Sequence, residues 1–218
     1  MLFDFDGPLC DVFAGHPAPG VAKELAATLI QLDTTTGEQA LATDDPMQVL
    51  RLSQYAGEAV VCQIEEALTV AEVSAVRAAG FPVPGAAESL RAARASGRKV
   101  AIVSNNSGAC VKEFLLLHDL SQFVDRVIGR YPNRPDLMKP SPFSLERAAR
   151  ELGIEVGKCT LIGDSTTDIQ AAAQAGSMAI GFANKPGKEA GLAEAGARAI
   201  ITTMVTVAEA LLVLPASH

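Results

Sequence analysis

The chain opens with an apolar run that carries two carboxylates, Met1-Leu2-Phe3-Asp4-Phe5-Asp6-Gly7. Alternate side chains of a β-strand share a face, so Asp4 and Asp6 are expected to diverge from the phenylalanines beside them and to point toward one spot. Two carboxylates at one spot need a cation. The run therefore predicts a buried strand that leads into a charged site.

A second acidic cluster lies far along the chain and also follows an apolar run, Leu161-Ile162-Gly163-Asp164-Ser165-Thr166-Thr167-Asp168. Around it, helical and strand patterns alternate from residue 85 onward. The predicted strands are Lys99–Val103, Phe123–Ile128, Cys159–Ile162, Met178–Phe182 and Ala199–Ile201. Strands that alternate with helices are parallel and joined by crossovers, so the predicted fold class is α/β, a doubly wound, Rossmann-like parallel sheet.

Residues 13–81 break this alternation. They carry three helical patterns and no convincing strand, and runs rich in proline and glycine flank them at residues 15–20 and 80–85. The helical patterns are Gly20–Leu32, Met47–Tyr55 and Glu58–Ala79. We therefore predict an all-helical cap at residues 13–81, inserted after the first strand, and an α/β catalytic core built from residues 1–12 and 82–218.

Composition narrows the class of protein. The 218 residues are 49% hydrophobic and 20% charged, which is typical of a globular domain. There is no uninterrupted apolar run of the roughly 20 residues that a membrane span needs, and no basic, then apolar, leader. We expect a cytoplasmic protein with no membrane partner. A net charge of -7 argues against nucleic acid as a partner, and the four scattered cysteines suggest reduced thiols and no zinc site.

Polar residues follow three predicted strands or precede a predicted helix: Asp4 and Asp6, Ser104 and Asn105, Asp164, and Lys139 before a helix expected from Ser141. Ligands of an open α/β sheet bind outside the carboxyl ends of its strands. Taken together, these residues offer a nucleophile, an acid/base group, anion donors and a metal ligand. Each residue also has a simpler interpretation. Asp4 and Asp6 could be a surface acidic pair, Ser104 and Asn105 a helix cap, and Lys139 a solvated loop residue. Asp164 and Asp168 could be a cap and a surface acid.

The combined pattern resembles the haloacid dehalogenase superfamily of phosphohydrolases. Four segments look like its four motifs, in order: Asp4-Phe5-Asp6-Gly7, Ser104, Lys139, and Gly163-Asp164 through Asp168. The helical insertion occupies the place where the subfamily similar to phosphoglycolate phosphatase and β-phosphoglucomutase carries its cap. The chain departs from the family pattern at Pro8, where the family usually has threonine.

Because the first predicted strand is short, we also expect the natural protein to begin a few residues upstream of Met1.

The resemblance implies a role for each residue of the acidic pair and its partners. Asp4 would attack phosphorus, while Asp6 would protonate the leaving alkoxide and later deprotonate the water that releases phosphate. Mg²⁺ would bind a side-chain oxygen of Asp4, the backbone carbonyl of Asp6 and the carboxylate of Asp164. Asp168 would orient the metal waters or Lys139 without binding the ion itself.

The same resemblance implies a phosphate-binding group. Lys139 would supply positive charge both to the phosphate and to the aspartyl phosphate. The hydroxyl of Ser104 would donate a hydrogen bond to the phosphate. The amide of Asn105 would open a helix whose N-terminus favours an anion.

The function expected from this reading is Mg²⁺-dependent hydrolysis of a small phosphorylated metabolite through an aspartyl phosphate, by a monomer or weak dimer. Two alternatives stay open: a phosphomutase of the β-phosphoglucomutase type and a non-catalytic protein that binds a phosphometabolite. A dehalogenase is less favoured, since that chemistry needs no Mg²⁺ and its relatives replace the second aspartate, whereas this chain keeps Asp6 and Asp164.

Overall fold

The fold is built on a parallel sheet, seen in a computed structural model that describes residues 1–213. Within these residues six strands pair in the order β3-β2-β1-β4-β5-β6, and every pairing is parallel. The strands are β1 Leu2–Phe3, β2 Ala101–Val103, β3 Arg126–Ile128, β4 Thr160–Gly163, β5 Met178–Phe182 and β6 Ala199–Ile201. This topology confirms the predicted doubly wound sheet.

Ten α-helices lie in the described part of the chain. They are α1 Ala18–Leu32, α2 Thr34–Ala40, α3 Pro46–Ser53, α4 Glu58–Ala78, α5 Ala86–Ala95, α6 Gly108–Leu117, α7 Phe143–Leu152, α8 Thr166–Ala175, α9 Lys188–Glu194 and α10 Val205–Val213. None of those helices combines the length and apolarity that crossing a membrane requires. The helix expected from Ser141 begins two residues later, after Pro142.

Hydrophobic cores cover both faces of the sheet. Leu2 packs with residues of α7, α8 and α9 on one face, whereas Phe3 packs with residues of α5, α6 and α10 on the other. Both side chains are fully buried because β1 lies at the centre of the sheet between β2 and β4. A strand covered on both faces needs apolar side chains on both of them, so its sequence is a continuous apolar run. This is why the opening residues are all hydrophobic up to Asp4.

Helices α1 to α4, here called the helical segment (residues 18–78), share a third hydrophobic cluster, which Met138 from outside the segment also joins. The sequence predicted three helices in this region, and the structure adds α2. Threonine and glycine are weak helix formers, so Thr34-Thr35-Thr36-Gly37 gave no helical pattern. Asp33 starts α2 by accepting a hydrogen bond from the backbone N–H of Thr36 at 2.8 Å, a capping signal that was present in the sequence.

A buried ion network joins the helical segment to the core. Arg130, which follows β3, donates from Nε to Glu65 Oε1 at 2.6 Å and from Nη1 to Glu72 Oε1 at 2.5 Å. It also donates from Nη2 to Thr69 Oγ1 at 3.0 Å. The side chains of Arg130 and Glu72 are 1% and 0% exposed. All three partners lie on α4, so one arginine fixes that helix against the edge of the sheet.

We expect Arg130→Met to destabilise the protein by about 3–5 kcal/mol, because it leaves buried carboxylates without their cation. Arg77→Met is the matched control. It breaks an exposed ion pair between Arg77 of α4 and Glu113 of α6, 2.7 Å apart, and should cost about 0–1 kcal/mol. Denaturant unfolding of both variants measures the difference. Equal losses would show that the buried network contributes no more than a surface pair.

Candidate active site

The strand order brings distant polar residues to one edge of the sheet. Asp4 directly follows β1, and its backbone N–H donates to Ile162 O of the neighbouring β4 at 2.8 Å. Asp164 directly follows β4, and Ser104 follows β2, where its N–H donates to Ile128 O at 2.9 Å. The carboxyl ends of parallel strands meet at one edge, so these three predicted residues converge.

Lys139 lies at the centre of this site and is 2% exposed. Its Nζ donates to Asp4 Oδ1 at 2.7 Å, to Asp168 Oδ1 at 2.5 Å and to the carbonyl of Val103 at 3.2 Å. Burial alone would lower the pKa of Lys139, but the carboxylates of Asp168 and Asp4 outweigh burial and hold that pKa above its usual range. The ammonium therefore stays charged between two carboxylates.

The backbone of Lys139 is held from two sides. Its N–H donates to Asn105 Oδ1 at 2.8 Å, and its carbonyl accepts from Nη2 of Arg51 at 2.7 Å. Arg51 lies on α3 of the helical segment and also donates from Nη1 to Pro135 O at 3.3 Å. Asn105 was predicted to bind phosphate through its backbone amide, and its side chain positions the loop that carries Lys139.

The carboxylate of Asp164 has one oxygen bound by protein donors. Its Oδ2 accepts from Asn184 Nδ2 at 2.9 Å and from Lys188 Nζ at 2.5 Å, and Lys188 donates as well to Asp164 O at 3.0 Å. Sequence analysis did not identify Lys188, which lies 24 residues further along the chain at the start of α9. These donors fix the orientation of the carboxylate, as hydrogen-bond partners of metal-binding carboxylates commonly do.

Asp168 uses both of its oxygens within the protein. Oδ1 accepts from Lys139, and Oδ2 accepts from the N–H of Ser165 at 3.1 Å and from its hydroxyl at 2.6 Å. The N–H of Asp168 donates back to Ser165 Oγ at 3.2 Å, and the two backbone N–H contacts form the capping box of α8. This arrangement agrees with a role in holding Lys139.

Asp6 is held by the loop that follows it. Its Oδ1 accepts from the N–H of Val12 at 3.0 Å. Burial, as the largest cause, raises the pKa of Asp6 to about 6, a value that suits a group exchanging protons near neutral pH.

Pro8 has no N–H to offer the loop, and Val12 supplies a donor instead. Nearby Cys10 is buried, and burial raises the pKa of its thiol, so it is not an activated nucleophile.

Three carboxylates are close enough to share a cation. Asp4, Asp164 and Asp168 each offer an oxygen, and these oxygens lie within 4.8 Å of one another. Oxygen donors of this kind match the ligand preference of Mg²⁺. Burial, followed by the charge of Asp168, raises the pKa of Asp4 well above its usual range. A divalent cation would reverse that shift, so the donor set and its electrostatics fit a metal ion.

One expectation about the loop after β2 is wrong. Helix α6 begins at Gly108, three residues after Asn105, so the amide of Asn105 does not open it. Ser107 caps the helix by accepting from the N–H of Cys110 at 3.2 Å. The segment before it forms a turn in which the Ser104 hydroxyl donates to Asn106 Oδ1 at 3.1 Å and the N–H of Asn106 donates to Ser104 Oγ at 3.0 Å. Hydrogen bonds of this local kind compete with helix, which moves the helix start downstream.

A cavity of about 350 Å³ lies above these residues. The core contributes Asp4, Asp6 and Asp164 together with Ser104 and Lys139. The helical segment contributes the opposite wall, made of Asp45, Met47, Gln48 and Arg51. The cavity is therefore lined by both parts of the chain.

The family model of haloacid dehalogenase-like hydrolases matches residues 1–176. The chain therefore belongs to the haloacid dehalogenase-like hydrolase family, as the four motifs indicated.

Individual relatives agree with this assignment. The chain is 27% identical over 201 residues to a phosphoglycolate phosphatase of Neisseria meningitidis, covering 83% of this chain and 78% of that protein. It is 29% identical over 188 residues to a phosphoglycolate phosphatase of Aquifex aeolicus, covering 81% and 80%. Among solved structures, a mutant of CbbY from Rhodobacter sphaeroides in complex with xylulose-(1,5)bisphosphate aligns with a TM-score of 0.67 at 21% identity, covering 94% and 93%. That alignment supports the fold.

Gly7 makes room for the site by lacking a side chain. Its φ is +103°, and a Cβ at this position would lie 2.4 Å from Cγ of Asp164. Only glycine adopts this backbone conformation without strain and leaves that space to the carboxylate. The glycine after the acidic pair therefore sets how closely Asp164 approaches the first motif.

Gly7→Ala is expected to cost about 1–3 kcal/mol more stability than Gly57→Ala, because it adds a steric clash to the backbone strain. Gly57 has nearly the same φ, +99°, but a Cβ there meets nothing within 4 Å, so its variant measures the strain alone. Urea unfolding of the two variants provides the comparison. If Gly57→Ala loses as much stability as Gly7→Ala, the close approach of Asp164 is not a constraint.

Proposed function

We propose that this hydrolase is a Mg²⁺-dependent phosphatase that hydrolyses a small phosphorylated metabolite through an aspartyl phosphate on Asp4. The observation that carries the proposal is the ammonium of Lys139 held between Asp4 and Asp168, with the carboxylate of Asp164 in the same cluster. The relatives are phosphoglycolate phosphatases, so phosphoglycolate is the first substrate to test.

Asp4 is the proposed nucleophile. Two donors, Lys139 Nζ and the N–H of Phe5 at 2.7 Å, bind its Oδ1. Its other oxygen, Oδ2, attacks phosphorus and forms the new P–O bond while the bond to the leaving oxygen breaks. Asp6 gives a proton to that oxygen. Asp6 then takes a proton from the water that attacks the aspartyl phosphate, which restores Asp4 and releases inorganic phosphate.

Asp4, the backbone carbonyl of Asp6 and Asp164 are the proposed Mg²⁺ ligands. When bound, the ion would shield the phosphate from the surrounding carboxylates and polarise its oxygens. Asp168 keeps Lys139 in place. Lys139, the Ser104 hydroxyl and Asn105 are the proposed phosphate-binding groups. Lys139 supplies the local positive charge that the acidic chain as a whole lacks, and the other two supply hydrogen-bond donors.

Residues 13–81 are the proposed cap. The cavity wall formed by Asp45, Met47, Gln48 and Arg51 supports this assignment, because a lid must contact the space in which substrate binds. In this position the segment excludes water and sets which metabolite fits. The catalytic core would then consist of residues 1–12 and 82–218, in a monomer or weak dimer.

Phosphate release decides the proposal. The wild-type protein should release inorganic phosphate from phosphoglycolate or another small phosphomonoester when Mg²⁺ is present, and chelation by EDTA should abolish release until Mg²⁺ is restored. Asp4→Asn should abolish it as well, since an amide is not a nucleophile here. A panel of phosphorylated metabolites assayed by phosphate detection makes the measurement. Release by Asp4→Asn at the wild-type rate rejects Asp4 as nucleophile, whereas hexose phosphate interconversion faster than release would favour a mutase.

Asp6→Asn separates proton transfer from metal binding. We expect kcat to fall by about 10²–10⁴-fold, the usual contribution of a general acid or base. The Mg²⁺ dissociation constant should stay close to that of the wild type, because the proposed ligand is the backbone carbonyl of Asp6, which the variant retains. Steady-state kinetics and calorimetric titration with Mg²⁺ test the two expectations. An unchanged kcat would reject Asp6 as the acid/base group.

A further inference from the structure

A fully buried carboxylate of the helical segment lies behind the loop that follows β2. Glu72 of α4 is 0% exposed. Its Oε1 accepts from Asn106 Nδ2 at 3.2 Å and from Arg130, and its Oε2 accepts from the N–H of Ser107 at 2.9 Å. One residue from outside the core thus binds two consecutive residues of the loop that carries Ser104.

These contacts fix the orientation of the Asn106 amide. Because Nδ2 donates to Glu72, the amide oxygen faces the other way and accepts the hydroxyl of Ser104 at 3.1 Å. The N–H of Asn106 donates back to Ser104 Oγ at 3.0 Å. A continuous chain of hydrogen bonds therefore runs from Glu72 through Asn106 to Ser104.

Glu72 is not needed merely to neutralise Arg130. That arginine already has Glu65 as an ionic partner at 2.6 Å and Thr69 as a further acceptor. The additional contacts of Glu72 go to the loop. Its Oε2 also lies at the start of α6, where a negative charge is favourable, so this end of the helix is occupied by the protein's own anion.

We propose that Glu72 is a positioning residue for the phosphate-binding loop and that it acts on Ser104 through Asn106. This inference rests on the proposed function, in which Ser104 donates to the phosphate. In the structure the hydroxyl proton of Ser104 points to Asn106 Oδ1, so on phosphate binding this proton turns to the phosphate while the N–H of Asn106 continues to hold the Ser104 oxygen. An oxygen that is already in place when substrate arrives costs little ordering free energy at that moment. Without Glu72 the Asn106 amide can rotate, and Ser104 loses its fixed position.

Glu72→Gln tests the proposal while keeping the shape of the side chain and leaving Arg130 its Glu65 partner. We expect the inhibition constant of inorganic phosphate to rise and kcat/KM to fall, each by about tenfold, which is what one charged hydrogen bond is typically worth. The Mg²⁺ dissociation constant, measured by calorimetry, should stay unchanged. A purely structural role would lower the melting temperature without this selective loss of phosphate affinity.

A double-mutant cycle shows whether Glu72 acts through Ser104. In the Ser104→Ala background, Glu72→Gln should have less than about a twofold further effect on kcat/KM, because the group that it positions is gone. Asn106→Leu interrupts the same chain without removing a buried charge. Asn106→Leu should likewise have less than about a twofold further effect on kcat/KM in the Ser104→Ala background. This variant replaces Glu72→Gln in the cycle if Glu72→Gln does not fold.

Glu113→Gln is the matched control. It removes a carboxylate of α6 that binds Arg77 of the same helix α4, and it should behave as the wild type in every kinetic assay.

Wild-type phosphate affinity in Glu72→Gln, or fully multiplicative effects of Glu72→Gln and Ser104→Ala, would overturn the inference while the proposed phosphatase function stands. A wild-type protein that releases no phosphate from any phosphomonoester would overturn the proposed function itself, and this inference with it.

Discussion

The site depends on one interaction, the ammonium of Lys139 between the carboxylates of Asp4 and Asp168. Lys139 is almost fully buried, and a buried ammonium is stable only when anions and hydrogen bonds replace the water it has lost. The same requirement holds for the carboxylates, which repel one another and need positive charge. Each side therefore stabilises the other, and the arrangement keeps a cation and a nucleophile candidate 2.7 Å apart.

The sheet makes this interaction possible because it brings residues from distant parts of the chain to one edge. Strand β1 has only two residues, yet both are fully buried and pair on each side with a longer neighbour. The chain leaves the sheet directly at Asp4, and Gly7 then turns close against Asp164. The central position of β1 and the absence of a side chain at Gly7 together set the spacing of the acidic residues.

The helical segment contributes to the site beyond covering it. Arg51 binds the backbone of Lys139, and Glu72 binds the loop that carries Ser104. Arg130 of the core in turn binds two carboxylates of α4, those of Glu65 and Glu72. The proposed phosphate-binding groups are thus held in part by residues outside the core. The positions of Lys139 and Ser104 therefore depend on where the helical segment lies.

Local patterns in the sequence were enough to predict the alternation of strands and helices, the helical insertion, and the polar residues at the strand ends. The bounds of β5 and β6 agree with the predicted strands, because the side-chain pattern of a strand acts between residues only a few positions apart. The pattern missed α2, whose threonines are weak helix formers. The resemblance, and not the helical pattern, implied that the amide of Asn105 opens α6, which begins three residues later. Only the tertiary structure decided that Lys188 and Asn184 orient Asp164, that Arg51 holds Lys139, and that Glu72 reaches Asn106. Those partners lie between 20 and 88 residues apart in the chain, and contacts across such separations leave no periodic signal, since only the packing of whole elements brings the two side chains together.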